Sequence, residues 1–480
     1  MQTLPLKFRF CPSPTGLIHF GNVRTALFNV LLAHKFKSTF LLRIEDTDKE
    51  RSKVEYTEAL MDDLRWLDLS WQEGPEVGGD RGPYWQSERQ AIYDQYYAQL
   101  TSGTSRHAYP CFCSEADLEA MRKVQRAQSQ PPRYAGTCRH LSKEEIEAKI
   151  ASGLKPTLRF RVPDGEAVEF QDLVKGPQRF SSDDIGDFII RRADGTAPFM
   201  YCNAIDDALM EVTHVVRGED HLTNTPRQIL ILQALGLPIP QYCHISLIMG
   251  ADHTPLSKRN GSRNIQTLRE EGYLPLAIVN YLARLGHYYA EDQLMDIKSL
   301  SAHFDFSHLS RSAAHFDEQQ LLHWQKEAVM ALSVSELAVW VKAHSEFSKI
   351  VPAEKRAAFL SKLQPNVLFP QELAFWAEQL YGASLKLDSA SNDILLQAGK
   401  DFFTTALQAI AEKGIDYAHL QAALQNKCQI KGRALFQPLR VAVTGVLHGP
   451  HLEDVLQLMG VEQVKRRFEV ALQKVTEPRP

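Results

Sequence analysis

Two stretches of this 480-residue chain carry residues suited to handling phosphate, Pro12-Ser-Pro-Thr-Gly-Leu-Ile-His19-Phe-Gly-Asn22 and Pro255-Leu-Ser-Lys258-Arg259. The first sets His19 just before a segment with helical periodicity. A helix starting there aims unpaired N–H groups and the positive end of its dipole at the preceding loop. Gly16 and Gly21 let backbone approach a ligand closely, and an imidazole can donate to phosphoryl oxygens as charge shifts during displacement. The second sets Lys258 beside Asn260-Gly261 after a strand-like run. A lysine so placed can hold a triphosphate and neutralise charge growing on a pyrophosphate leaving group. Either stretch alone is more often an ordinary turn. Together, each following a strand, they point to nucleotide activation and away from a hydrolase or dehydrogenase.

A second constellation is metal-like. Cys111-Phe-Cys113, a gap of 24 residues, and Cys138-Arg-His140 supply three thiolates and an imidazole, enough to close a tetrahedral zinc site. All four positions filled by protein make such a zinc structural. The remaining cysteines are scattered, which suits a reducing compartment better than a disulfide framework.

These groups need a scaffold at whose edge they can meet. Lys7 to Cys11 reads as a strand, and Asn22 opens a helix with Ala26, Leu27, Val30, Leu31 and Leu32 on one broad face. Ser38 to Ile44 is a second strand running into Glu45-Asp-Thr-Asp48, and Glu58 to Leu69 is a second helix. Alternation of this kind predicts a parallel α/β sheet, whose ligands bind at the carboxyl ends of the strands. Around Pro110 the pattern changes to an insertion. It holds a basic stretch, a capping box at Ser142-Lys-Glu-Glu145 and strands over Thr157 to Val162, Ala167 to Leu173 and Phe188 to Arg192. The sheet resumes at Val212 to Arg217. A helix opened by Thr225-Pro226 follows, and then a last strand from Cys243 to Met249. From Gln266 onward the pattern is helical, for example over Glu336 to His344 and Gln371 to Leu380.

Length predicts three or more domains. The expected division is an α/β domain in two halves, 1–109 and 196–265, an α+β insertion at 110–195, a helical domain at 266–330 and an all-α domain at 331–480. No apolar run of about 18 residues exists, so no membrane span is expected, and the amino-terminal segment lacks a signal-peptide core. A cytoplasmic monomer is the expectation. The net charge of −4 means that nucleic-acid contact must rest on local basic patches.

Several motifs in one order carry a family resemblance. Phe10-Cys-Pro-Ser-Pro-Thr-Gly16 with His19-Phe-Gly-Asn22, Arg43-Ile-Glu-Asp-Thr-Asp48, Gln86-Ser-Glu-Arg89, Val216-Arg-Gly-Glu-Asp-His221, Leu256-Ser-Lys-Arg259 and Gly432-Arg-Ala-Leu-Phe-Gln-Pro-Leu-Arg440 resemble bacterial glutamyl-tRNA synthetases over nearly the whole length. The resemblance implies a class I, Rossmann-type catalytic domain with an inserted zinc-containing acceptor-end domain, then a stem-contact domain and an anticodon-binding domain. It implies glutamate attack on Mg2+-bound ATP to give glutamyl-adenylate, then transfer to the 2′-hydroxyl of the terminal adenosine of tRNA(Glu). Restriction to tRNA(Gln), or charging of both tRNAs, is the alternative.

By the same resemblance Arg9, Ser13, Glu45, Asn203 and Arg217 surround L-glutamate. Glu45 receives the ammonium and Arg217 faces the side-chain carboxylate, a role that suits arginine's fixed fork. His19, Gly21 and Lys258 match the ATP-handling positions, with His19 and Lys258 catalytic. The chain departs from the usual pattern at Pro255, where a lysine is common, at Phe199, where tyrosine is common, and at Cys11, where alanine is common. Candidate tRNA phosphate contacts are Arg122, Lys123, Arg126 and Arg133 in the insertion. Lys427, Lys431, Arg433 and Arg440 are their counterparts in the helical tail.

Overall fold

Parallel strands need a crossover of a dozen or more residues to bring the chain back to the same end of the sheet, and the helices between the strands supply it. A computed structural model describes residues 5–48, 50–102, 106–256, 263–344, 347–382, 385 and 387–477. Strand β1 (Lys7–Phe10) leads through helix α1 (Phe20–Lys35) to β2 (Thr39–Leu42), which pairs with β1 in parallel, Arg9 beside Leu41. Helix α1 buries Val23, Leu27, Val30 and Leu31 completely or nearly so. Each such side chain contributes about 1.5–3 kcal/mol of burial, ample to fix the helix on the sheet.

Next come α2 (Val54–Trp66), α3 (Gln90–Thr101), β3 (Ala108–Cys111), α4 (Glu115–Ala127), α5 (Lys143–Ala151), β4 (Thr157–Phe160), β5 (Ala167–Asp172) and β6 (Gly176–Ser181). A single turn α6 (Ser182–Ile185) precedes β7 (Phe188–Arg191), α7 (Phe199–Leu209), β8 (His214–Gly218), α8 (Thr225–Leu235) and β9 (Gln241–Ile245). The main sheet runs β2-β1-β8-β9-β5-β6, parallel except for the antiparallel edge strand β6. Strands β3, β4 and β7 form a separate antiparallel sheet. Both Ser114, ahead of α4, and Ser142, ahead of α5, make reciprocal capping boxes, and Gly236 (φ 64°) closes α8 in the left-handed conformation.

Three differences from the sequence reading matter. The run Ala167 to Leu173 belongs to the main sheet, Asp172 lying beside Tyr242 of β9, and not to a self-contained insertion. Alternation identifies a half-buried strand but not the partner it pairs with. Strand β6 escaped notice because it begins with Gly176-Pro177, residues that argue against a strand interior yet are tolerated at a sheet edge. The expected strand from Cys243 to Met249 is two pieces. Its second part, Ile248–Met249, pairs with Ala314–His315.

The chain divides into two compact units, Met1–Leu268 with Ile278–Leu321, and Arg269–Ala277 with Leu322–Pro480. Beyond residue 321 the described residues hold helices and no strand, among them Val334–His344, Pro370–Tyr381, Tyr417–Cys428, Arg433–Thr444 and Val461–Thr476. Helix Ser389–Lys413 is broken at Gly399, whose φ of 73° no other residue type adopts cheaply. No helix among the described residues is long and apolar enough to cross a membrane.

Candidate active site

Four strand ends of the main sheet deliver charged or polar side chains to one edge. Strand β1 brings Arg9, the segment after β2 brings Arg43 and Glu45, β8 brings Arg217 and β9 brings His244. Helix α7 adds Asn203, Asp206 and Asp207, whose spacing puts them on one helical face. All eight are buried.

Buried charges persist only when paired, and here they are. Asp207 accepts from Arg9 at 3.2 Å and from Arg43 at 2.9 Å. Burial pushes its carboxyl up, but the two arginines outweigh that and hold it below the usual carboxylate range. Asp206 accepts from Arg89 Nε at 2.7 Å, Tyr93 Oη at 2.7 Å and Gln86 Nε2 at 2.9 Å. Arg43 Nη2 lies 3.6 Å from Glu45, which also accepts a hydrogen bond from the Asn203 amide. Burial raises the Glu45 carboxyl to about 7 in spite of these partners.

Arg217 is placed differently. Its Nη2 donates to Thr225 Oγ1 at 2.8 Å and Gln228 Oε1 at 2.7 Å, and its Nε donates to His244 Nε2 at 3.2 Å. Gln228 in turn donates to Asn203 Oδ1 at 3.1 Å, which links Arg217 to Glu45 through neutral amides. Nη1 is buried with no hydrogen-bond partner among the described residues. No acidic side chain among them makes an ion pair with this guanidinium, and burial lowers it to about 10. Arg9 and Arg43 are neutralised by protein carboxylates, whereas the partners of Arg217 are neutral side chains.

The His19 segment is held by backbone contacts. His19 is the extended residue before α1, and its carbonyl accepts from Val23 N–H at 3.0 Å. A Cβ on residue 21 would meet the His19 ring at 3.3 Å, so Gly21 leaves room for the imidazole. Glu45 N–H donates to Pro12 O at 3.0 Å, which ties the exposed Ser13 loop to the Glu45 segment. Lys258 lies outside the described residues. The chain enters its loop at Leu256, whose N–H donates to Ile248 O at 2.8 Å. It returns at Asn264, bridged to His19, with Ile265 N–H on Ile18 O at 3.1 Å. The described residues on either side of that loop therefore lie against strand Ile248–Met249 and the His19 segment.

Known proteins match this arrangement. Residues 5–323 fit the model for the catalytic domain of class I tRNA synthetases (E and Q), and residues 334–472 fit an anticodon binding domain. Glutamate-tRNA ligase 2 of Coxiella burnetii is 55% identical over 468 residues, covering 98% of this chain and 100% of that protein. The chain belongs to the glutamate-tRNA ligase family. Glutamate-tRNA ligase 2 of Nitrosococcus oceani is 54% identical, with 98% of each chain covered. Among solved structures, a glutamate tRNA ligase from Elizabethkingia meningosepticum, crystallised in complex with its amino acid, superposes with a TM-score of 0.86 at 25% identity. It covers 98% of this chain and 100% of that one. Membership in the ligase family carries the reaction class with it, ATP-dependent joining of an amino acid to tRNA.

Within this ligase fold the cysteine cluster is compact. The sulfurs of Cys111, Cys113 and Cys138 lie within 4.8 Å of one another, with Cys113 and Cys138 at 3.8 Å. The expected fourth member, His140, is exposed and outside the group, while the neighbouring Arg139 pairs with Asp187 (3.2 Å) and Asp164 (2.9 Å). Tyr134 faces the sulfurs instead. Its Oη is 3.4 Å from Cys111 Sγ and 3.6 Å from Cys113 Sγ, and it accepts from Cys138 N–H at 2.8 Å. Three soft sulfur donors and one oxygen at these separations suit a tetrahedral zinc.

Beside the cluster lies a cleft of about 580 Å³ lined by Arg122, Arg133, Arg159, Arg192, Arg227 and Tyr134 among others. Sequence reading found only the first two, since Arg159, Arg192 and Arg227 come from separate elements. Arg126 and Arg122 are engaged by Glu119 at 3.5 and 3.0 Å. In the helical unit a cavity of about 410 Å³ is lined by Lys427, Arg433, Gln397, Asp401 and Gln437. Arg440 is instead half-buried, donating to Pro450 O at 2.8 Å.

Proposed function

We propose that this edge activates L-glutamate and charges tRNA(Glu), with Arg217 binding the side-chain carboxylate, Glu45 and Asn203 the ammonium, and Arg9 and Ser13 completing the pocket. The supporting observation is the buried Arg217 guanidinium, surrounded by neutral partners with Nη1 lacking a hydrogen-bond partner among the described residues. Attraction between unit charges at 4 Å is about 4 kcal/mol at an effective dielectric of 20. A side-chain amide forgoes that term, so glutamate is favoured over glutamine.

The α-carboxylate oxygen of glutamate attacks the α-phosphorus of ATP, and the bond to the bridging oxygen breaks as pyrophosphate leaves. The 2′-hydroxyl of the terminal adenosine then attacks the acyl carbon and AMP departs. His19 ahead of α1 and Lys258 stabilise charge on the phosphates during the first step. Mg2+ accompanies the ATP and offsets triphosphate charge. Gly21 keeps the helix terminus open to the nucleotide.

Cys111, Cys113 and Cys138, with Tyr134 in the place expected for His140, would hold a zinc that ties the insertion to β3. The arginine-lined cleft takes the acceptor end of the tRNA, and the Lys427–Arg433 cavity lies in the region that contacts the anticodon. A cytoplasmic monomer is the setting in which these parts operate.

Aminoacylation of purified tRNA(Glu) and tRNA(Gln) with glutamate and with glutamine tests the reading. Glutamate on tRNA(Glu) is the expected product. Absence of glutamate charging on both tRNAs refutes the proposal, and charging confined to tRNA(Gln) reassigns the tRNA while keeping the chemistry.

A further inference from the structure

Arg217 and His244 stand opposite each other in register on β8 and β9. Arginine Nε–H can only donate, so the hydrogen bond at 3.2 Å requires a lone pair on His244 Nε2. Thr225 Oγ1, 3.0 Å from the same nitrogen, also accepts from Arg217 Nη2. On the other side of the ring, Nδ1 lies 2.6 Å from Asp172 Oδ2. Asp172 Oδ1 accepts from the N–H groups of Val174 at 2.9 Å and Lys175 at 2.7 Å. Burial works against ionising Asp172. The His244 contact and these backbone donors outweigh it and keep the carboxyl below its ordinary range.

Both side chains of the Asp172–His244 pair are wholly buried. An ionised Asp172 must receive the Nδ1 proton, which leaves a neutral imidazole with its proton on Nδ1. The groups around the ring agree. Burial and the cations Arg217 and Arg9 hold His244 below its usual range against the pull of Asp172, while Tyr242 stacks parallel to it at 6.1 Å.

We infer that Asp172 and His244 are positioning residues that aim the Arg217 guanidinium and thereby set the affinity for the amino acid's side-chain carboxylate. This inference rests on the Arg217 reading given above. Nε is tied by His244 and Nη2 by Thr225 and Gln228, so the guanidinium plane is fixed and Nη1 remains the free donor. If the imidazole took the other tautomer, two N–H groups would face each other and the plane would turn. Asp172 ends β5, the strand at first assigned to the insertion. The three residues therefore come together through the pairing of β5 with β9 and β9 with β8.

The test compares full-length Asp172→Asn, His244→Leu and His244→Gln, with Arg217→Ala as reference, measuring KM for glutamate, KM for ATP and kcat in tRNA charging. Asp172→Asn and His244→Leu are expected to raise glutamate KM about tenfold or more, short of the roughly hundredfold that a misplacement of about 1 Å can cost, with ATP KM little changed. His244→Gln keeps an acceptor near the position of Nε2 and is expected to recover most of the loss. Ring 15N shifts of the wild-type protein should place the His244 proton on Nδ1. A proton on Nε2, or equal rises in glutamate and ATP KM, overturns the inference. Unchanged glutamate KM in both Asp172→Asn and His244→Leu, with a raised value in Arg217→Ala, overturns the relay alone. An unchanged value in Arg217→Ala overturns the carboxylate reading and the relay with it.

Discussion

Asn203 donates its side-chain amide to Glu45 Oε1 in a fully buried contact that joins helix α7 to the segment after β2. The bond orients the buried carboxylate, with Arg43 behind it at 3.6 Å. A substrate ammonium would find an oriented acceptor rather than a mobile side chain.

A pH dependence follows from that burial. The Glu45 carboxyl is raised to about 7, chiefly by desolvation. An ammonium binds the ionised form, so below this value the free enzyme holds a proton that binding must expel. Glutamate KM is expected to be flat above about pH 7 and to climb toward tenfold per pH unit below it. Glu45→Gln should remove the dependence and raise KM roughly thirtyfold, the equivalent of losing about 2 kcal/mol from a charge-assisted hydrogen bond. The measurement is steady-state charging across pH; a KM that stays level into the acid range assigns the ammonium to another group.

Asp206 supports the site without facing it. Its carboxylate takes hydrogen bonds from Arg89, Tyr93 and Gln86, all buried. Asp206→Ala would strand the Arg89 guanidinium in the interior, a loss of about 3–5 kcal/mol. The thermal midpoint of the catalytic unit should fall clearly. Asp206→Asn retains one acceptor oxygen and should fall less. Equal midpoints for wild type and Asp206→Ala would mean that Arg89 finds water.

The sequence reading located Arg9, Glu45, Asn203 and Arg217, and the structure brings these four together. It also recognised Gln86-Ser-Glu-Arg89 as a motif without knowing why; the reason is Asp206, 120 and 117 positions away from Gln86 and Arg89. Asp206 and Asp207 carried a faint signal in their helical spacing from Asn203. Asp172 and His244 carried none, because a strand's alternation does not reveal its neighbour in the sheet. Tyr134 carried no signal as a neighbour of the sulfurs, because ligand spacing is read along the chain and the phenol reaches the cluster only through the fold.

Metal content tests the cysteine cluster. The purified protein is expected to hold one zinc per chain, and Cys113→Ser should lose it and lower the melting of the insertion. Tyr134→Phe should weaken zinc retention against a chelator more than His140→Ala does, because the phenol oxygen lies 3.4 and 3.6 Å from two of the sulfurs. The reverse order would return the fourth position to His140.

Lys258 is the group whose loss should separate chemistry from binding. Lys258→Ala is expected to lower glutamate-dependent pyrophosphate exchange about a hundredfold or more, the usual scale for removing one group that stabilises transition-state charge. Affinity for tRNA should hold. A parallel loss of tRNA affinity would point to a disturbed loop.

The arginine-lined cleft makes the last prediction, and salt is the way to read it. Arg192 and Arg227 line it beside the cysteine cluster, and no acidic side chain among the described residues forms an ion pair with either. Each RNA phosphate neutralised by a protein cation releases condensed counterions and contributes a slope of about 0.7 to 0.9 in magnitude in log K against log salt. Arg192→Ala and Arg227→Ala should each weaken tRNA binding and flatten that slope by about one contact. Lys123→Ala, on helix α4 outside the cleft lining, is the control and should change both less. Direct binding measurements over a range of salt distinguish the cases: a weaker affinity with an unchanged slope means that these arginines hold the cleft's shape, whereas a shallower slope means that they meet the phosphate backbone.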